Sequence, residues 1–297
     1  MFPWALRALA LCVPVLVVAL GIQLYREAAP ARHAFGWGFL GSSAWDPVFE
    51  HFGAWPFIFG TFVTTAVGVF LAAPLGVAVS VFLAELAPAW LRTPVRYLVD
   101  LMAAVPSVVY GLWGIFVMVP WLQRDVEPWL GTHFGDLALF QGAPYGVGFL
   151  AAGLILAMMV LPFVVGLSRE AMASVARAQA EAAYALGATH WEVIRDVVVR
   201  GARSGIFGGI LLAVGRALGE TMAVTMLIGN RPAVSASLFA PGYTLASVIA
   251  NEFTEATTRV YTAALTELGL ILFAITLAVN LVARILLTRL TRGSVAA

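Results

Sequence analysis

Residues 215–224 read GRALGETMAV, which sets Arg216 and Glu220 four positions apart in a run apolar enough to lie within a bilayer. Helical residues at that spacing share a face, about 5–6 Å apart at the side-chain base, so the two can meet. An arginine at the centre of a membrane helix costs at least about 2.5–3.5 kcal/mol on insertion scales and must face a cavity or the bundle interior. Two chemistries suit the pair. One is an ion pair, within the helix or to another span, that holds a bundle together or keeps it shut. The other is recognition of a passing oxyanion. A guanidinium fork grips two oxygens with parallel hydrogen bonds, and a carboxylate accepts the proton of a partly protonated anion. Spacing alone leaves both open. The same stretch carries Gly205, Gly209, Ala213 and Ala217 at four-residue intervals, beside a stripe of Gly208, Leu212, Arg216 and Glu220. Small residues in that pattern let helices pack backbone to backbone, so one face suits close packing and its neighbour suits charge.

The elements that position the pair follow from composition. The chain has 297 residues, 61% of them hydrophobic and 11% charged, with a mean hydropathy of +0.93. Soluble domains average about 45–50% apolar and about 25% charged, so the chain reads as an all-α integral membrane protein. Six stretches are long and apolar enough to cross a hydrocarbon core of about 30 Å: Ala8 to Tyr25, Phe57 to Leu86, Leu98 to Leu122, Tyr145 to Leu167, Ile206 to Ile228 and Leu268 to Leu287. Arg7 followed by an apolar run also fits a cleavable signal peptide, but the run is long and a second span follows soon, so an uncleaved first span is expected. Arginine asymmetry sets the orientation. With the N-terminus inside, eleven arginines fall on the inner side and five on the outer. Both termini are therefore expected in the cytoplasm. The expected organisation is a first span with an extracytoplasmic loop over 1–56, a transmembrane domain over 57–290 and a cytoplasmic tail over 291–297.

Several functions are poorly served by this sequence. A net charge of +1 offers no basic face for nucleic acid. There is no lysine, so a G-x-x-x-x-G-K-[ST] nucleotide loop is impossible. Cys12 is the single cysteine, and His33, His51, His133 and His190 lack ligand spacing. No HExxH appears, Gly166–Ser168 lacks the second glycine of a nucleophile elbow, and no Ser/His or paired-Asp set sits within a span. The expectation is a transporter, not an enzyme.

On the predicted inner face, the polar stretch from Ser168 to Gly205 contains EAAYALGATHWEVIRDVVVRGARSG. It starts with helix formers, breaks at Gly187 and resumes with apolar Trp191, Val193, Ile194, Val197 and Val198 among charges. This predicts a helix, a glycine turn and an amphipathic helix, either resting on the membrane surface or gripped by a partner. On the outer side, FAPGYTLASVIANEFTEA predicts a Pro-Gly turn and a short helix with Leu245, Val248, Ile249 and Phe253 on one face, either dipping into an outer mouth or lying on the surface; Glu252 and Glu255 are expected in water. Trp37, Trp45, Trp55, Trp121 and Trp129 flank spans and read as interfacial anchors.

Glu181-Ala182-Ala183, followed after three residues by Gly187-Ala188, resembles the EAA loop of bacterial ABC-importer permeases. GGILLAVGRALGETMAVTMLIGN and SVIANEFTEATTRVYTAALTELGLILF are similar to one subgroup, the PstC-type permeases of phosphate-specific importers, and the resemblance runs from about Phe57 onward. One departure is Val199-Arg200 where the EAA loop normally closes with Leu-Pro. The resemblance implies a six-span, type I (MetI-like) ABC-importer permease fold, with an EAA coupling loop over about 170–205. It implies a second, PstA-type permease and two copies of a PstB-type ATP-binding subunit docked on the coupling loops. A PstS-type extracytoplasmic protein would deliver phosphate. ATP and magnesium would then belong to the partner, with no cofactor in this chain. It favours the solute path for Arg216 and Glu220. A sulfate or molybdate permease, or an ion-coupled secondary transporter with Glu220 as proton site, is the alternative.

Overall fold

The computed structural model describes residues 2–295, with side chains over 10–289. Helix α1 (Phe2–Glu27) leads into a short α2 (Ala29–Phe35). A hairpin of two-residue strands, β1 (Trp45–Asp46) and β2 (His51–Phe52), pairs Trp45 with Phe52. Helix α3 (Trp55–Leu86) is 32 residues, about 48 Å at 1.5 Å per residue, and so outreaches the hydrocarbon layer. Helix α4 (Ala89–Ala104) and helix α5 (Ser107–Phe134) follow, then α6 (Phe149–Ala173). Helices α7 (Arg177–Ala185) and α8 (His190–Val199) precede α9 (Arg203–Leu218) and α10 (Met222–Leu227). Helix α11 (Leu245–Glu252) and the long α12 (Arg259–Val295) complete the order. Met1 and residues 296–297, the end of the expected tail, lie outside the described residues.

Helix α6 is the axis of the bundle. Its apolar window is 67% buried, whereas no residue in that of α1 is buried. Helix α3 lies along it at glycines: a Cβ on Gly68 would stand 2.9 Å from that of Leu156, and one on Gly76 2.7 Å from Val164 Cγ1. Neither contact tolerates a methyl group, so the absent side chains set the separation. Phe149, Leu156, Val160 and Val164 then form one core with Ala72, Ala213 and Ala217.

Among the described residues, four helices are by themselves long and apolar enough to cross a membrane, and up to six crossings result if each of two bent helix pairs, α4 with α5 and α8 with α9, is one span. The expected third span, Leu98 to Leu122, is not continuous. Helices α4 and α5 meet at 98°, because Pro106 has no N–H to give and drives Val105 to an extended ψ of 128°. The expected fifth span, Ile206 to Ile228, also breaks: α9 ends at Leu218, Gly219 caps it and the chain resumes at α10.

The extracytoplasmic reading of two residues changes as well. Trp45 is no surface anchor, since its ring packs 4.7 Å from that of Phe57. Its Nε1 donates at 2.8 Å to Glu252, which also accepts from the Tyr261 hydroxyl at 2.6 Å. Glu252 therefore ties the hairpin, α11 and α12 together, while Glu255 is exposed as expected. Helix α11 begins with a reciprocal cap between Thr244 and Ser247. Arg32 on α2 pairs with Glu267 on α12 at 3.0 Å.

Candidate functional site

The stripe of small residues on α9 does pack. Ala213 and Ala217 are buried, and a Cβ on Gly209 would stand 3.1 Å from that of Leu167 on α6. The neighbouring face is left open. Leu212, Gly215, Arg216, Gly219 and Glu220 line a cleft of about 450 Å³ with Phe163 of α6 and Asn280 of α12. Close packing on one side of α9 thus fixes how its charged side is presented.

Within the cleft, Arg216 Nη2 and Glu220 Oε2 stand 4.0 Å apart, with 39% of the arginine side chain and 9% of the glutamate side chain exposed. That is ion-pair range without a hydrogen bond. The guanidinium also lies 4.9 Å from the centre of the Phe163 ring, a cation–π distance. Expectation placed both residues on one continuous helix. Instead Arg216 occupies the last turn of α9, while Glu220 lies in the break beyond it. Carbonyls at a helix C-terminus lack N–H partners and favour a cation, so the break supports Arg216 where it stands. Downstream, the Thr221 hydroxyl donates to the Gly219 carbonyl at 3.2 Å and the Thr225 hydroxyl to the Thr221 carbonyl at 2.7 Å. These bonds hold the interrupted backbone.

Asn280 is the residue that sequence reasoning missed. Its Nδ2 donates to the Thr276 carbonyl at 2.9 Å, and its Oδ1 would lie 3.8 Å from a Cβ on Gly215. Its signal was present: an amide isolated in the apolar run ITLAVNLVARI, where polar side chains are costly and mark sites.

The second region is the EAA segment. Glu181, Ala182 and Ala183 sit on α7, which has no buried residue. The helix ends in a turn where Gly187 N–H donates to Tyr184 and Ala188 N–H to Ala183, at 2.9 and 3.1 Å. Gly187 adopts φ +87°, a left-handed conformation in which a Cβ is penalised. Thr189 then caps α8 reciprocally with Glu192. The Thr189 N–H and hydroxyl each donate to Glu192 Oε2 at 2.8 Å and hold that exposed carboxyl below its ordinary pKa. The Tyr184 hydroxyl meets His190 Nδ1 at 2.6 Å across the turn. Helix α8 buries Val193, Ile194 and Val198, and Val198 packs with Met172, Ala202 and Ile206. The expected helix, glycine turn and amphipathic helix are all present. Leu186 and Trp191 remain 90% and 60% exposed at the tip.

A protein-family model described as the inner membrane component of binding-protein-dependent transport systems matches residues 76–293. The phosphate transport system permease protein PstC of Mesorhizobium japonicum is 46% identical over 96% of this chain and 88% of its own. That of Haemophilus influenzae is 43% identical over 96% and 92%. Among solved structures, a bacterial alginate ABC transporter matches with a TM-score of 0.63 and 15% identity, covering 94% of this chain and 92% of that one, a likeness of fold. The chain therefore belongs to the family of binding-protein-dependent transport system inner membrane components.

Proposed function

We propose that this chain is a permease subunit of an ATP-driven importer that carries inorganic phosphate across the bacterial cytoplasmic membrane. The observation that carries the reading is the 46% identity to a phosphate transport permease over nearly the full length of both chains. The cleft adds a chemical reason. Arg216 offers paired N–H donors to oxyanion oxygens, and Glu220 accepts the remaining proton of hydrogen phosphate, a contact that fully ionised sulfate lacks. At 4.0 Å the two are close enough to neutralise each other at rest and loose enough to part around an anion.

Both termini face the cytoplasm in this proposal, and so does the EAA segment. A separate ATP-binding subunit grips Glu181, Ala182, Ala183, Gly187 and Ala188. It binds the ATP and magnesium, one copy on this chain and one on a second, PstA-type permease. An extracytoplasmic phosphate-binding protein loads the outer face. Alternating access then requires the ATP-binding pair to prefer one state of the bundle over the other, with α8 passing the movement to α9 through Val198, Ala202 and Ile206.

The test is uptake of radiolabelled phosphate by cells whose own permease gene is deleted and replaced by this one with its partners. Uptake that stops on ATP depletion, survives an uncoupler and is not competed by sulfate or molybdate supports the reading. Uptake competed equally by those anions, or none at normal expression, overturns it.

A further inference from the structure

A second cavity, of about 350 Å³, lies between the end of α3, helix α4, the end of α6 and the start of α7. Transport as proposed does not use it. Arg92 and Arg96, one turn apart on α4, line it together with Arg169 and Arg177, and Glu85 is the one acid among the lining residues. These cations are weakly compensated. Arg96 meets Asp100 at 3.7 Å in an exposed pair, and Arg92 donates to the Ala87 carbonyl at 3.3 Å. Among the described residues, Arg169 and Arg177 have no carboxylate within ion-pair range. Four guanidinium groups from three helices, drawn around a cavity with one acid, form a receptor for an anion that is missing from the chain itself.

Helix α4 indicates what kind of anion. It buries Val99 and exposes Trp90, Tyr97, Leu98 and Leu101 at 74%, 65%, 60% and 61%. Exposed tryptophan, tyrosine and leucine on an amphipathic helix bent 98° from its successor are the marks of a segment lying in the membrane interface. The arginines therefore open at headgroup depth, with acyl chains alongside. Basic pockets between membrane helices hold lipid phosphates in the same way.

We propose that this cavity is a binding site for a phosphate group, occupied by the headgroup of an anionic phospholipid whose acyl chains lie along Leu98 and Leu101. The arginine forks take the non-bridging oxygens, and the lipid ties α4 to the base of α7 at the root of the EAA segment. Free inorganic phosphate presents the same oxygens, so the experiment separates the two sources.

The complete complex, extracted in mild detergent and stripped of lipid, is compared by native mass spectrometry and thermal stability with added phosphatidylglycerol, phosphatidylcholine of the same chains, or inorganic phosphate. Phosphatidylglycerol is expected to be retained at least about tenfold better than phosphatidylcholine and to raise the unfolding temperature. Arg92→Gln/Arg169→Gln removes that preference, and Arg92→Lys/Arg169→Lys, which keeps the charge and safeguards against a misfolded double variant, retains part of it. Millimolar phosphate that stabilises alone and displaces phosphatidylglycerol leaves the site standing with the soluble ion as occupant. Equal retention of both lipids by the wild type without an effect of phosphate, or a preference unchanged in the glutamine variant, overturns the proposal.

Discussion

Arg216 and Glu220 face each other across the end of α9 at 4.0 Å, one on the helix and one beyond it. Because the break falls between them, their separation is not locked by helical geometry. It responds to the conformation of Gly219 and Thr221.

Replacing Arg216 by glutamine is expected to lower phosphate uptake by about a hundredfold or more while the complex still assembles, since it removes a charge-assisted fork, not a packing group. Lysine restores little, being unable to make two parallel bonds. Uptake by purified complexes in vesicles, with subunit content on a gel, is the measurement. Normal transport by a well-assembled R216Q complex removes the residue from the path.

Asn280→Leu keeps the volume and removes the amide. The expected result is a drop in uptake of about tenfold, with unfolding temperature unchanged or slightly higher because a polar group leaves an apolar span. A loss of uptake that tracks a loss of stability would instead make Asn280 a packing residue.

Gly187→Ala places a Cβ at φ +87°, at a cost of about 1–2 kcal/mol. The added methyl meets no atom of this chain within 4 Å, so the cost is conformational and falls on the turn. The ATP-binding subunit is expected to co-purify less well, and Gly187→Asn, which tolerates that region, to do better than alanine. Equal co-purification of all three forms refutes the role of the turn.

Thr189→Ala removes the hydroxyl half of the reciprocal cap of α8 and is expected to loosen that helix by about 1 kcal/mol, read as faster amide exchange over 193–199. Bonds from Thr189 lower the folded pKa of Glu192. The cap is thus fully present above the ordinary glutamate value and is lost as pH falls through the depressed folded one. Protection of α8 in the wild type should fade in that acidic window. In the T189A variant the fading should weaken but persist, because the backbone N–H of residue 189 still donates to Glu192.

Much was legible without coordinates. The EAA helix, its glycine turn and the amphipathic α8 follow from local rules, since each depends on neighbours within a few residues. The packing stripe on α9 was readable for the same reason. Asn280, Phe163 and the arginine cavity were not, because each acquires meaning from residues far away in the chain. Trp45 and Glu252 were misread as solvent- or interface-facing, since their partnership crosses about two hundred positions.

The sequence by itself determined a membrane bundle of six crossings and placed an arginine and a glutamate within reach of each other, because hydropathy and helical period are local properties that oil enforces. Tertiary structure alone decided that the third crossing is bent and that the charged pair straddles a break in the fifth. It also decided which arginines share a cavity. Proline and glycine permit a bend, but the packing of α6 against its neighbours sets the angle at which the chain resumes.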